Sequence, residues 1–339
     1  MDLNTLWFLI ISFVLTVYVV LDGYDLGIGI LCLFTPKDKH EVRGQLIQII
    51  GPHWDGNEVW LIVFGGMLFA VFPRVYAALL SGLYLPFIVL LLFFIMRGIS
   101  ISSRNRYKTN AWLSFWDLCF GISGFMIAFL LGVVVANLIR GITLNENGVM
   151  KLHLSRLTSP FSLWMGFFSV ALLCMHGATY AGRKSAEDLK PYCRKAGLIN
   201  WLFVLVFAVS TEIFVLVKDP SDIFKNHFLL FSLLVILFIG SIVYIPFGLK
   251  SGRFNKTYIA SSLVIVHFLA LFYLYSYPNL LRSTEPIKNL TIYNASSSKQ
   301  TIIVTLILTI IAMPIVIVYT IYTHYTLARG KLTLTDTRD

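Results

Sequence analysis

Ser81-Gly-Leu-Tyr-Leu-Pro-Phe-Ile-Val-Leu-Leu-Leu-Phe-Phe-Ile-Met96 carries no charge from end to end. Trp201 to Val217 repeats the pattern, interrupted only by short hydroxyl side chains and Glu212. Neither run alternates apolar and polar residues at period two, as a transmembrane barrel strand would. Each approaches the roughly 20 residues that a helix needs to cross a hydrocarbon core about 30 Å thick. Only helices and closed barrels satisfy their backbone groups inside lipid. These stretches therefore predict an all-α polytopic membrane protein. The composition of the 339 residues agrees: 57% are hydrophobic and 13% charged, about half the charge of an ordinary soluble domain. Aromatic residues make up 15%, which excludes a disordered chain.

Working outward from these runs, nine apolar segments are predicted as spans, approximately 5–34, 53–72, 76–97, 115–138, 161–181, 198–217, 227–248, 257–276 and 301–327. They make a single integral membrane domain over 1–339, with no linker long enough to separate soluble domains. The first segment has no basic residue before it and reads as a retained span, not a cleaved leader. Phe72-Pro73-Arg74-Val75 is a tight polar turn between the second and third segments, and 139–160 and 277–300 are the longest connections. Of the 27 lysines and arginines, eighteen fall in the connections after odd-numbered spans and nine on the other side. That bias predicts an N-terminus outside and a C-terminus in the cytoplasm. It also accounts for the net charge of +10 without a nucleic-acid partner. Trp7, Trp112, Trp116, Trp164 and Trp201 fall near segment ends, where indoles settle at the interface. Cys32, Cys119, Cys174 and Cys193 make no CxxC pair and read as small packing residues.

Ionisable side chains inside a bilayer are the default functional candidates. Asp22 and Asp25, near the inner end of the first span, share a helix face by their spacing; Asp55 and Glu58, at the start of the second, do likewise. The two spans are antiparallel, so both pairs are expected at similar depth toward the cytoplasm, with Asp22 nearer the surface. Gly23 and Gly27 have the GxxxG spacing that admits a close helix neighbour. Crowded carboxylates of this kind can relay protons, because they cannot all stay ionised; capping or ion pairing at the membrane edge suits the same residues equally well. Asp117 is expected as an N-terminal acid on its helix dipole, and Glu212 as a deep carboxylate whose partner the sequence does not name. His53 precedes the second span beside Asp55. His176 and His267 are the most deeply placed histidines. Counted along their helices they differ in depth, so hydrogen-bonded core histidines are expected in preference to a haem-ligating pair. HExxH, paired-cysteine, P-loop and GxGxxG motifs are all missing, so the residues predict no metal or nucleotide cofactor.

Gly51-Pro-His53-Trp54-Asp55-Gly-Asn57-Glu58-Val-Trp60, followed by Gly65-Gly66, Phe69-Ala70 and Phe72-Pro73, strongly resembles subunit II of cytochrome bd-type quinol oxidases. Leu21-Asp22-Gly23-Tyr24-Asp25-Leu-Gly27-Ile-Gly29 is similar to that family's first-span motif, and Arg97-Gly98, Trp116-Asp117, Ala136-Asn137-Leu138, His176-Gly177-Ala178 and Leu290 to Ser298 match in order. The resemblance implies two four-helix bundles plus one extra helix. It implies a heterodimer in a bacterial plasma membrane, electrogenic and oxygen-reducing, whose haem-bearing subunit I holds two b-type haems, one d-type haem and the quinol site. A small accessory subunit and membrane lipids are compatible further partners. This chain would bind no haem ligand and no metal itself, and would carry no catalytic residue in the strict sense. It would complete the haem d environment and move protons from the cytoplasm. The principal relay is then Asp55, with Glu58 and Asp25 tuning it and Asp22 behind; Trp54, Asn57, Trp60, Gly23, Gly27, Arg97 and Asp117 are motif and structural positions. Two places depart from the family. Ile99-Ser-Ile-Ser102-Ser-Arg104 has no acid where the family often has one, and Ala181 stands before Lys184-Ser185 where leucine is usual. A proton-coupled secondary transporter is the alternative from another class, since buried carboxylates and broken spans serve it too; a b-type cytochrome using His176 and His267 is a third.

Overall fold

The computed structural model describes residues 2–36, 39–145, 150–151, 154–218 and 222–328. The chain forms α1 (Leu3–Phe34), α2 (His40–Ile50), α3 (Trp54–Val71), α4 (Pro73–Gly82), α5 (Tyr84–Ser103), α6 (Asn110–Arg140), α7 (Leu154–Leu157), α8 (Pro160–Lys184), α9 (Lys190–Lys218), α10 (Asp222–Lys250), α11 (Phe254–Ser276) and α12 (Lys299–Ala328). Two short hairpins interrupt them. Between α6 and α7, β1 (Thr143–Leu144) pairs antiparallel with β2 (Met150–Lys151). Between α11 and α12, β3 (Asn279–Leu281) pairs antiparallel with β4 (Leu290–Thr291). A bridge from Ile142 to Ser283 ties the hairpins together. Among the described residues, eight helices are long and apolar enough to cross a membrane, and α3 with α4 makes a ninth if that bent pair counts as one span.

The bend corrects the third expected span. Pro73 sits in the first turn of α4, where its missing N–H costs nothing. The chain turns by 119° between α3 and α4. The span starts only at Tyr84, not at residue 76, and runs to Ser103. A second correction is α2, inside a stretch read as a connection. It buries Arg43, Leu46, Ile47 and Ile50 on one face, the spacing of an amphipathic helix.

The centre of the molecule is α1 crossing α6 and α8. Helices in lipid gain little from apolar burial and rely on close backbone approach. A Cβ on Gly27 would collide with the Leu173 carbonyl of α8, and one on Gly29 would lie 3.2 Å from Gly124 of α6. Of the expected GxxxG pair, Gly27 makes the crossing, while Gly23 faces only the Leu173 and His176 side chains. α3 and α5 complete the surroundings of α1 and α6; α9 and α11 pack on α8, and α10 packs on α9 and α11; α12 lies against α3. The C-terminal half of α1 belongs to one apolar core and its N-terminal half to another, which the two hairpins close. Trp7 is fully buried in that second core, not interfacial, and its indole donates to the Ile302 carbonyl of α12. Asp2 caps α1, accepting from the Thr5 amide at 2.7 Å and the Tyr293 hydroxyl at 3.0 Å. The Thr5 amide bond, foremost, holds its carboxyl below the usual range.

Candidate functional site

Three helices bring charge to one buried point. α1 supplies Asp22 and Asp25, α3 supplies Asn57 and Glu58 from its first turns, and α5 supplies Arg97. Asp22, Asp25 and Arg97 are each fully buried. Arg97 Nη2 donates to Asp22 Oδ1 at 2.7 Å and also to Glu58 Oε1. Asp25 takes no part in that fork. Its Oδ2 accepts from Asn57 Nδ2 at 2.7 Å, and the same amide nitrogen is 2.7 Å from the Tyr24 hydroxyl. The indole of Trp54 lies beside the guanidinium, its ring centre 6.0 Å from Cζ.

The balance is uneven. One guanidinium faces three carboxyl groups, and Asp22 Oδ2, Asp25 Oδ1, Arg97 Nε and Arg97 Nη1 are buried without a hydrogen-bond partner among the described residues. Orphaned buried polar atoms are rare, and each calls for an explanation, whether strain, a catalytic role or a bound water. A carboxyl group in such surroundings can bind or release a proton with a small change in the network.

The sequence pairs are only partly reunited. Asp22, Asp25 and Glu58 meet, at matching depth, as expected. Asp22 is not the surface member: it is as buried as Asp25 and lies about 18 Å along the helix from Phe34. Asp55 stands apart. It is exposed, and its Oδ1 accepts from the Gly56 amide at 2.8 Å. It heads an exposed strip of α3 that continues through Val59, Ile62 and Phe69. A Cβ on Gly65 or Gly66 would meet nothing within 4 Å, so this face leaves room for another helix.

Asp117 is not a first-turn acid, because α6 begins seven residues earlier, at Asn110. It is buried in a second cluster, accepting from Arg104 Nε at 2.5 Å, with Arg43 Nη1 at 3.7 Å and His40 Nδ1 at 3.4 Å. These partners were missed; they lie in the stretches read as connections. His53 does not join Asp55. Its Nε2 is 3.1 Å from the Tyr180 hydroxyl, and its ring is 5.0 Å from that of His324. His324, on α12, reaches Asn57 Oδ1 at 3.3 Å, and the Trp60 indole donates to Thr320 of the same helix at 3.3 Å. The sequence signal for His324 is its place one turn beyond Thr320. The side chain of Glu212 lies outside the described residues. Ser102, where the family often has an acid, donates to the Gly98 carbonyl at 3.0 Å.

A family model described as cytochrome bd terminal oxidase subunit II matches residues 3–327. The chain belongs to that family. As a subunit II it is 30% identical over 333 residues to the cytochrome bd ubiquinol oxidase subunit 2 of Bacillus subtilis, covering 96% of this chain and 95% of that one. It is 27% identical over 370 residues to the cytochrome bd-I ubiquinol oxidase subunit 2 of Escherichia coli, covering 98% and 96%. Its fold matches a chain of the bd oxidase from Geobacillus thermodenitrificans with a TM-score of 0.76 at 19% identity, covering 97% of this chain and 100% of that one. Subunit II membership sets aside the transporter reading.

His176 and His267 of this subunit II are both hydrogen-bonded within the helix packing. His176 is engaged at both ring nitrogens, by Ser261 Oγ at 2.8 Å and the Val20 carbonyl at 3.0 Å. His267 is 2.9 Å from the Leu234 carbonyl through Nδ1 and stacks on Phe238.

Proposed function

We propose that this chain is the second subunit of a quinol:oxygen oxidoreductase in a bacterial plasma membrane, where it stabilises a haem-bearing subunit I and delivers protons toward its oxygen-reducing haem. The quinol and the haems, two of b type and one of d type, belong on subunit I in this reading. The observation that carries it is the division of the four carboxylates. Asp22, Asp25 and Glu58 are gathered inside around Arg97, while Asp55 stands outside on the open, glycine-lined face of α3. An acid on a spanning helix must face protein or water, not lipid. A partner helix seated on Gly65 and Gly66 would bring Asp55 into protein and place it between the internal network and subunit I. Oxygen reduction in a low-dielectric site needs one proton with each electron, since uncompensated charge there is costly. The four-carboxylate arrangement meets that need with Asp55 as the exit group. In the same reading α1, α3, α5 and α6 form one four-helix bundle and α8 to α11 the other, with α12 the extra helix.

Asp55→Asn keeps size and hydrogen bonding and removes the titratable proton. In the two-subunit complex it is expected to slow oxygen consumption about tenfold or more with a normal haem spectrum. Full turnover in the assembled variant would exclude the relay role; loss of haem d would assign Asp55 to assembly alone. The basic-residue bias supports delivery from the cytoplasm. Cysteines placed at Ile287 and Lys190 test it: a membrane-impermeant thiol reagent added outside should label the first and spare the second, and the opposite pattern would reverse the orientation.

A further inference from the structure

The turn between α8 and α9 and the turn between α10 and α11 face each other across a cavity of about 670 Å³. Arg183, Lys190, Arg253 and Lys256 all line it, and Glu187 is the one acid among the lining residues. Glu187 is already paired with Lys190. Two of the cations are held in place from below. The guanidinium of Arg183 lies 5.4 Å from the ring centre of Tyr258, and that of Arg253 lies 5.5 Å from that of Phe247. Planar guanidiniums fixed in this way suit phosphate oxygens.

The placement of two of these charges is unfavourable by itself. Arg253 is the N-cap residue of α11 and Lys256 is in its first turn, which contains no acid and receives no side-chain cap. Cations at the positive end of a helix dipole are repelled by it. An anion in the cavity reverses the sign of that interaction and satisfies the free amides as well. The charge bias across the membrane explains why basic residues lie on this side; it does not explain why they converge on one cavity at a helix N-terminus.

Below the cavity, Ile236, Ile239, Val243 and Phe247 form an exposed apolar row on α10 that ends beneath Arg253. A bound phosphate with attached acyl chains would find its tails already on a lipid-facing track. Basic pockets between spanning helices at the membrane surface are a recurrent site for anionic headgroups.

We propose that this cavity holds the phosphate of an anionic membrane lipid, clamped by Arg183, Lys190, Arg253 and Lys256, and so links the α8–α9 and α10–α11 hairpins. The test uses the detergent-solubilised, delipidated two-subunit complex, with bound lipid counted by native mass spectrometry. Phosphatidylglycerol is expected to bind in preference to phosphatidylcholine and to raise the melting temperature. The double variant Arg253→Gln/Lys256→Gln should weaken phosphatidylglycerol about 30-fold, at about fivefold per charge removed. If that variant fails to assemble, Lys256→Gln alone should show the fivefold loss. Inorganic phosphate at the same concentration should neither raise the melting temperature nor displace the lipid. Stabilisation by inorganic phosphate equal to that by the lipid would overturn the lipid as source. Equal phosphatidylglycerol retention by wild type and variants would overturn the site.

Discussion

The Arg97 and Asp117 clusters are both buried ion assemblies reached from the C-terminal half of α1, and their charge is inverted. Around Arg97 one cation faces three carboxyl groups. Around Asp117 one carboxylate faces Arg104, Arg43 and His40. The second cluster is also closed. Arg43 donates to the Cys32 and Thr35 carbonyls, and Arg104 to the His40 carbonyl at 3.0 Å. Among the described residues none of its buried side-chain atoms lacks a partner, whereas the Arg97 cluster leaves four orphaned. A saturated network fixes a structure; an unsaturated one keeps capacity for protons. The Asp117 cluster thus pins α2 and the end of α5 to α6, and the Arg97 cluster is the one to which the proposed proton delivery is assigned.

The comparison breaks first at Asp117. Asp117→Asn leaves two buried arginines without their counter-charge, and breaking a buried pair costs about 3–5 kcal/mol. A large fall in assembled yield and melting temperature is expected. A variant that melts like wild type would show that the cluster is not a clamp. Asp25→Asn should do the reverse. It accepts from Asn57 without a direct ion pair, so the amide should leave the melting temperature nearly unchanged while turnover falls about tenfold or more. Normal turnover would remove Asp25 from the relay. The smallest effect is expected at His40, which is partly exposed and 3.4 Å from Asp117. His40→Ala should cost under about 1 kcal/mol in thermal unfolding; a cost near that of Asp117→Asn would make the histidine an equal member of the clamp.

The spans were legible because long uncharged runs admit few other structures, and the i, i+3 spacing of the carboxylates singled out Asp22, Asp25 and Glu58, which the structure gathers near Arg97. Which carboxylate faces inward was not legible. Asp55 and Glu58 are only about 60° apart on a helical wheel, so the neighbouring helices decide between them. Arg97 was counted among the charges that set orientation, and its role as hub depends on α5 lying beside α1 and α3. Asp117 was misread through the start of α6: the stretch from Asn110 to Ser114, left outside the expected span, is helical, which moves the acid from the helix end into its interior. Lys37, Lys39, Glu41 and Arg43 concealed α2, whose apolar face shows only when residues 42 to 50 are read at helical period.

The distance in sequence between Asp22 and Arg97 also bears on how the protein is made. The two are 75 positions apart. At about 5–20 residues per second, α1 enters the bilayer roughly 4–15 s before its counter-charge is synthesised. An acidic side chain at the centre of a helix costs about 2.5–3.5 kcal/mol to insert, and α1 carries two. Through that interval α1 depends on its long apolar flanks, and on the glycine crossings only once α6 and α8 arrive. Translation therefore imposes an order on assembly, in which the emergence of α5 relieves the first helix and commits the preceding segments to their places.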